Sequence, residues 1–286
     1  MARILYLTQV LPYPLDSGAK IRQYHMLGYL AQDHELTLVS FTRPDDPPEA
    51  VSHLEAVCDA VYTVGIQRSL WRNARAGIKG LATGLPMVIV RDEMEEMVAT
   101  LRRLTQESPY DVVHADQLSM AGYGRLAARF SDLRPPRTLL DEHNAIYLLT
   151  QRMAETEPNW LRRQVMRREA RAFARYEAEM CRAYDALLTV IPEDRERLLK
   201  LLPAGEWEEV ARKFTVIPIC VDPAEVPPVI HSDGHPPTIL HVGTMFWPPN
   251  INGVLWFARE VLPLIHRDIP DARFVVVGKN PPEEVQ

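Results

Sequence analysis

Two short segments gather side chains that can bind, orient and exchange protons. His114-Ala115-Asp116 ends one apolar β-branched run, and Asp141-Glu142-His143-Asn144 ends another. A third candidate, Asp16-Ser17-Gly18, follows the first apolar run of the chain. In an open parallel sheet, ligands sit beyond the carboxyl ends of the strands, so all three segments lie where chemistry is expected. Asp16 or Ser17 can cap a helix that starts there, and Gly18 lets backbone approach a ligand closely. The free N–H groups and positive end of such a helix attract a phosphate or hydroxyl, although the same residues suit an ordinary capped turn. A lone histidine at a strand end is more often structural than catalytic. Two strand ends aiming histidine and carboxylates at one crevice shift that balance.

The elements that must position these residues are legible as short apolar runs alternating with stretches of helical period, the pattern of a parallel sheet covered on both faces. The strand candidates are ILYLT (4–8), LTLVSF (36–41), AVYTVGI (60–66), DVVHAD (111–116), RTLLDEH (137–143), ALLTVI (186–191) and FTVIPI (214–219). Seven strands with helical crossovers make one doubly wound α/β domain, residues 1–221. Residues 222–237, DPAEVPPVIHSDGHPP, carry five prolines and no periodicity, and read as a linker. From 238 to 286 the alternation restarts: a strand TILHVGT (238–244), a helix over 252–267 and a strand ARFVVVG (272–278). Val254, Ala258, Val261 and Ile265 share one face of that helix and are expected to be buried. Two strands and one helix hide too little surface for a core of their own, so this part reads as an incomplete second domain.

With 286 residues, 47% of them hydrophobic and 24% charged, the composition is that of a folded globular protein. A net charge of −6 argues against nucleic acid as a partner, since phosphate backbones reward an excess of Lys and Arg. Cys58, Cys181 and Cys220 form no C-x-x-C pair and read as inert thiols rather than disulfides or zinc ligands. No run approaches the roughly 20 apolar residues that span a bilayer, and Pro12 and Pro14 come too early for a secretory leader, so a cytoplasmic location is expected.

Several chemistries are absent from the pattern. No G-x-G-x-x-G follows the first strand, Gly278-Lys279-Asn280 is not a P-loop, and neither G-x-S-x-G nor H-E-x-x-H occurs. No metal-ligand cluster stands out. Glu169 and Glu177, eight apart, lie within an Arg-rich helix over 159–182 and are expected to be solvated charges. Seven arginines against three glutamates give that helix a surplus of four positive charges. Its stripe of Leu161, Val165, Ala172, Phe173, Tyr176 and Met180 is expected to face the core. The basic face reads as a solvated surface or, in the sharper reading, as a contact for an anionic membrane holding a lipid-linked acceptor.

LTQVLPYPLDSGAKIR near the start, DEHN after the fifth strand, VIPICVD before the linker, and HVGTMFWPPNINGVLWFAREVLPLI with PDARFVVVGKNPP after it together resemble family-4 glycosyltransferases of the GT-B fold. The last two segments are the most specific and resemble enzymes of bacterial exopolysaccharide assembly. The resemblance implies two facing Rossmann-like domains. The chain would be the acceptor-side half plus the first strands of the donor side, and donor binding by these residues alone is expected to be weak. It also implies metal-independent transfer of a glycosyl group from a nucleoside diphosphate sugar, with retention, to a hydroxyl of a glycan or lipid-linked acceptor.

In that scheme Ser17 and Gly18 lie at the reacting centre, and His143 orients the donor sugar or stabilises oxocarbenium-like charge through its backbone carbonyl. Gly243 and Thr244 approach the donor phosphate. His114, Asp116, Asn144 and Arg22 line the acceptor side, and no cofactor is implied. Three features depart from the family pattern. Cys220 replaces the flexible glycine of V-I-P-N-G-V-D, the arginine that commonly follows Gly243 is missing, and the family's donor-binding glutamate pair would lie beyond Gln286. A sugar-nucleotide epimerase of the same fold and a non-catalytic interaction module stay open as alternatives. A location at the inner face of the cell membrane is compatible with the basic helix.

Overall fold

The uninterrupted apolar runs of the sequence are strands buried on both faces, as crossover helices on each side of a parallel sheet require. The computed structural model describes residues 1–67, 69–132, 134–219, 236–245 and 248–286. The chain divides into two units, Met1–Cys220 and Val221–Gln286. In the first, β1 (Arg3–Thr8), α1 (Gly18–Leu30), β2 (Glu35–Thr42), α2 (Glu49–Glu55) and β3 (Ala60–Gly65) form the first half. Next come α3 (Leu70–Thr83), α4 (Met87–Arg91), α5 (Glu95–Glu107), β4 (Val112–Asp116), α6 (Leu118–Phe130) and β5 (Arg137–Glu142). Helices α7 (Ile146–Thr156) and α8 (Trp160–Ala183), β6 (Ala186–Thr189), α9 (Pro192–Leu199), α10 (Trp207–Ala211) and β7 (Phe214–Val216) complete it.

All seven strands are parallel, in the order β3-β2-β1-β4-β5-β6-β7. The order reverses between β1 and β4, which opens a crevice at their carboxyl ends. Register decides what shares a face: Tyr6 pairs with His114 and Asp116 with Asp141, toward α1, whereas Glu142 pairs with Thr189 on the opposite face. One core, with Leu5, Val113, Leu140, Phe173 and Cys181, fills the α6 and α8 side. A second, with Tyr6, Leu27, Leu38 and Leu54, fills the α1 and α2 side. Strand β7 ends at Val216, short of the expected 219, because Pro218 lacks the N–H a ladder needs.

The second unit contains β8 (Thr238–Val242), α11 (Pro248–Trp256), a π-helical stretch Phe257–Val261, α12 (Leu262–Asp268) and β9 (Arg273–Val277), with β8 and β9 parallel. The wide π turn precedes Pro263, whose ring and missing N–H prevent ordinary α bonding to the preceding turn. Of the expected buried face only Val254 is fully covered, while Ala258, Val261 and Ile265 are half-buried. One helical layer covers one side of the two-stranded sheet, and Leu240, Val242, Val275 and Val277 on the other side are exposed. Gly243 and Gly278 close the strand ends: a Cβ on Gly278 would stand 1.9 Å from the Gly243 carbonyl oxygen.

Two expectations about α8 are corrected. Leu161 and Val165 are 58% and 43% exposed, so the apolar stripe reaches the core only from Ala172 onward. Glu169 and Glu177 are buried, not solvated. The Glu169 carboxylate accepts the Met87 N–H at 2.7 Å, and Glu177 accepts the N–H groups of Ile146 and Tyr147 at 2.6 and 3.1 Å. Each therefore caps the first turn of a neighbouring helix, α4 or α7, where free amides and the helix dipole favour a carboxylate.

Cys58 and Cys181 are buried free thiols, and burial with Asp59 nearby pushes the Cys58 thiol up to about 12. Cys220 and the linker expected at 222–237, except 236 and 237, lie outside the described residues. Among the described residues no helix is long and apolar enough to cross a membrane.

Candidate functional site

The site is built on the carboxyl ends of β1, β4 and β5 and on the first turns of α1. Ser17 is the N-cap residue of α1, in extended conformation, and its side chain makes no capping hydrogen bond. Asp16, the other capping candidate, pairs with Lys20 at 3.1 Å. A Cβ built at Gly18 would meet no atom within 4 Å. The opening amides of this 13-residue helix carry its positive end, with no acidic residue in the first turn to neutralise it.

One turn further, Arg22 and Gln23 point down to the sheet. Arg22 donates from Nε and Nη2 to the two oxygens of Asp141 at 2.9 and 3.0 Å, and from Nη1 to the carbonyls of Ile217 and Pro218 at 2.7 and 3.4 Å. Gln23 donates to Asp116 Oδ2 at 2.5 Å. Tyr6 donates its hydroxyl to Asp116 Oδ1 at 3.4 Å, and His143 Nε2 lies 3.1 Å from the same oxygen. His143 Nδ1 lies 3.3 Å from the Gln117 side-chain amide, whose nitrogen donates to the neutral ring and whose oxygen, with the amide turned, accepts from the imidazolium. Both ring nitrogens of His143 thus have protein partners, and the ring is held in one orientation.

Electrostatics follow from this packing. Burial disfavours the His143 imidazolium, but the charge and hydrogen bond of Asp116, with Asp141 behind it, outweigh burial and Arg22 and raise its pKa. His114 behaves oppositely: burial dominates and, with His143 and Arg22 adding to it against Asp141, brings it down to about 4, so it is neutral. Its ring lies 4.1 Å from that of Tyr6, centroid to centroid, and its Nε2 has no partner among the described residues. His114, Asp116 and Asp141 could each offer a ligand atom within 4.8 Å of one another. Those two carboxylates, however, already face the Arg22 guanidinium and His143, so a cation there would compete with two positive groups.

The structure brings His143, Asp116, His114 and Arg22 together, with Ser17 and Gly18 on the same helix as Arg22. His114, Asp116 and Arg22, expected on the acceptor side, are buried beneath the strand ends. Asn144, next to His143, is exposed. Gly243 and Thr244 belong to the second unit, where Gly243 N–H donates to Val277 O at 3.0 Å and Asn250 donates to Thr244 O at 3.0 Å.

Gln117, absent from the sequence-derived set, is the residue sequence reasoning missed. It has φ 68° and ψ 155°, a conformation costly for a side-chain-bearing residue, by about 1–3 kcal/mol, and found at functional sites. Its N–H donates to Asp141 O at 2.9 Å and its side chain holds His143, which is what fixes that backbone.

A second buried cluster lies on the other face. Glu142 has both oxygens without a partner among the described residues, and burial, with Glu177, Asp141 and Asp194 nearby, raises its pKa well above the ordinary carboxylate value. Burial raises Glu177 as well, but the two α7 amides favour its ionised form, so the proton belongs on Glu142.

Comparison with known proteins bears on the family and the fold. The sequence pattern of Glycosyltransferase Family 4 matches residues 17–225, and that of Glycosyl transferases group 1 matches residues 236–286. An uncharacterized 44.6 kDa protein in the cps region of Klebsiella pneumoniae is 22% identical over 97% of this chain, and the chain spans 65% of that protein's length. Among solved structures, Medicago truncatula UGT71G1 complexed with UDP-glucose has a TM-score of 0.51 at 10% identity, covering 99% of this chain and 67% of its own. OtsA without ligand has a TM-score of 0.50 at 11% identity, covering 100% and 67%. At such identities the two structures establish the fold. With its family match spanning most of its residues and its seven-stranded parallel α/β sheet, the chain belongs to glycosyltransferase family 4, of the GT-B fold.

Proposed function

We propose that this chain forms the acceptor-side part of a retaining glycosyltransferase that moves a sugar from a nucleoside diphosphate sugar to a hydroxyl of a glycan or lipid-linked acceptor. The observation that carries it is His143, locked through Nε2 to Asp116 and through Nδ1 to Gln117 at the carboxyl ends of β4 and β5, in a chain that matches family 4 over residues 17–225. UGT71G1 is described with UDP-glucose and the Klebsiella relative is placed in a cps region, which supports a nucleotide-sugar donor and a role in polysaccharide assembly.

Departure of a diphosphate develops negative charge, which the α1 N-terminus with Ser17 and Gly18 is suited to stabilise. Because both ring nitrogens of His143 are occupied, its ring acts as a strut, and its backbone carbonyl is the group offered to the positive charge on the sugar. The buried Arg22, Asp141 and Asp116 hold that strut, and exposed Asn144 faces the acceptor side. Gly243 and Thr244 supply backbone near the donor phosphate. The reaction as proposed needs no metal. The protein works in the cytoplasm, peripherally at the inner face of the membrane where a lipid-linked acceptor is presented.

The full protein, incubated with radiolabelled UDP-, GDP- and dTDP-sugars and a lipid extract, is expected to label an acceptor from one donor, equally in EDTA. Retention is read from the anomeric configuration of the product. Epimerised free nucleotide sugar without acceptor labelling, or no reaction with any donor, would overturn the proposal.

A further inference from the structure

Helix α3 is well formed and faces the wrong way for a core helix. Ser69 caps its start by accepting the Arg72 N–H at 3.2 Å, and Gly84 ends it at φ 74°. It rests on the protein through small residues, with Ala76 and Gly80 buried. Its bulky apolar residues point outward: Leu70, Trp71, Ile78 and Leu81 are 87%, 86%, 72% and 66% exposed. With exposed Ala74 they fall in one arc of about 100° on a helix that turns 100° per residue. Arg75 lies about 40° beyond that arc, while Lys79, further round the helix, pairs with Glu93. Scattered exposed leucines are ordinary, but a tryptophan and three large aliphatic side chains on one exposed arc are not.

The surroundings are basic. Arg168 donates to the carbonyls of Gly80 and Leu85, and Arg175 to that of Gly84 at 3.2 Å, so α8 clasps the end of α3. From that helix Arg162, Arg167, Arg171 and Arg175 are exposed, as are Trp160 and Leu161. This concentration occurs in a chain of net charge −6.

We infer that α3 is a membrane-docking element, which sinks Leu70, Trp71, Ile78 and Leu81 into the interface of an anionic bilayer while the arginines of α3 and α8 meet its headgroups. An apolar arc with a tryptophan and basic residues beside it is the composition of helices that lie in the plane of a bilayer. Anionic lipid adds an attraction for each basic residue near the surface. A second copy is a poorer occupant, because a two-fold contact through this face would bring basic borders against one another and charge is depleted from the cores of such interfaces. The inference deepens the peripheral-membrane part of the proposed function and is independent of the sugar chemistry.

The test is cosedimentation of the full protein with phosphatidylcholine vesicles, with and without phosphatidylglycerol. Wild type is expected to bind the anionic vesicles, more weakly as salt rises. Trp71→Ser with Ile78→Ser is expected to lower the affinity about tenfold or more, with thermal unfolding unchanged because both positions are exposed. Arg75→Glu with Arg167→Glu is expected to weaken binding to anionic vesicles. Binding indifferent to the Trp71 and Ile78 changes but lost in Arg162→Glu with Arg167→Glu would overturn the role of α3 and leave a contact through α8 alone. Failure of wild type to bind any vesicle would overturn both. A concentration-dependent dimer that Trp71→Ser with Ile78→Ser abolishes, without vesicle binding, would identify the face as a self-interface and overturn the inference. Transfer to a soluble acceptor, measured separately, keeps failure of docking distinct from failure of the transferase reading.

Discussion

Arg22 holds both oxygens of Asp141, at 2.9 and 3.0 Å, and spends its remaining nitrogen on the Ile217 and Pro218 carbonyls at the end of β7. One buried guanidinium thus joins the first turns of α1, the end of β5 and the segment that leaves the sheet. Asp141 in turn presents its carbonyl to Gln117, the neighbour of His143. Removing one partner leaves the other charge buried and unpaired, so Arg22→Ala or Asp141→Ala is expected to cost about 3–5 kcal/mol in urea unfolding. Arg22→Met with Asp141→Leu should cost less than the sum of the single changes, and additive losses would show that the pair is not coupled.

His143 should titrate above its ordinary 6.5 because Asp116 and Asp141 outweigh the effect of burial. The folded chain then keeps this proton where the unfolded chain has lost it. The stabilisation is complete below about pH 6.5 and disappears as pH rises through the folded value. NMR titration of the His143 ring should show the raised pKa, and Asp116→Asn should bring it down toward or below the ordinary value. Asp116→Asn is also expected to reduce sugar transfer while leaving donor affinity nearly unchanged. An unshifted His143 in wild type would mean that Asp116 does not hold the imidazolium.

The strands were legible because a parallel strand covered on both faces must be apolar at nearly every position, and the runs from Ile4, Leu36, Asp111 and Arg137 show this directly. Histidines and carboxylates at the ends of β4 and β5 were legible for the same reason, since polar residues interrupt those runs where the strands end. Pairings across the fold were not. Arg22 and Asp141 are 119 residues apart, and nothing local marks either as a partner of the other. Glu169 and Glu177 sit in a helix rich in charge, and only the tertiary approach of α4 and α7 turns them into caps. Gln117 carries no sign of its positive φ, because that conformation is imposed by contacts with β5 and His143. The outward face of α3 escaped notice because its period is that of any amphipathic helix, and period alone does not say which side meets the protein.

Glu142 should make the fold less stable in alkaline solution. Its pKa is raised above the ordinary 4.5 by burial and by Glu177, Asp141 and Asp194, so the native state retains a proton that the unfolded state releases. Its contribution is fully present below about pH 4.5 and is lost as pH rises toward the folded value. Glu142→Gln keeps the shape without the proton equilibrium and is expected to raise the melting temperature at pH 8 while changing little at pH 4. Glu177→Gln is expected to destabilise at pH 8, by about 1 kcal/mol, because the capping of α7 is weakened. Equal effects of the two changes at pH 8 would show that the proton is not held on Glu142.

Gly278 should be intolerant of any side chain. A Cβ there would lie 1.9 Å from the Gly243 carbonyl oxygen and 3.2 Å from the Met245 side chain, so the strand ends of β8 and β9 would have to separate. That separation would disturb two backbone bonds, Gly243 N–H to Val277 O and Met245 N–H to Lys279 O, both at 3.0 Å. Because the obstacle is backbone, Gly278→Ala is expected to cost at least the 1–3 kcal/mol typical of an overpacked site. Gly253→Ala, on α11 with nothing within 4 Å of the added carbon, should be neutral or stabilising, since alanine is the better helix former. Hydrogen exchange resolved to residues 238–245 and 272–280 would read the difference. Faster exchange in both strands is expected with Gly278→Ala and none with Gly253→Ala, and unchanged protection in the Gly278 variant would refute the tight approach of the two strand ends.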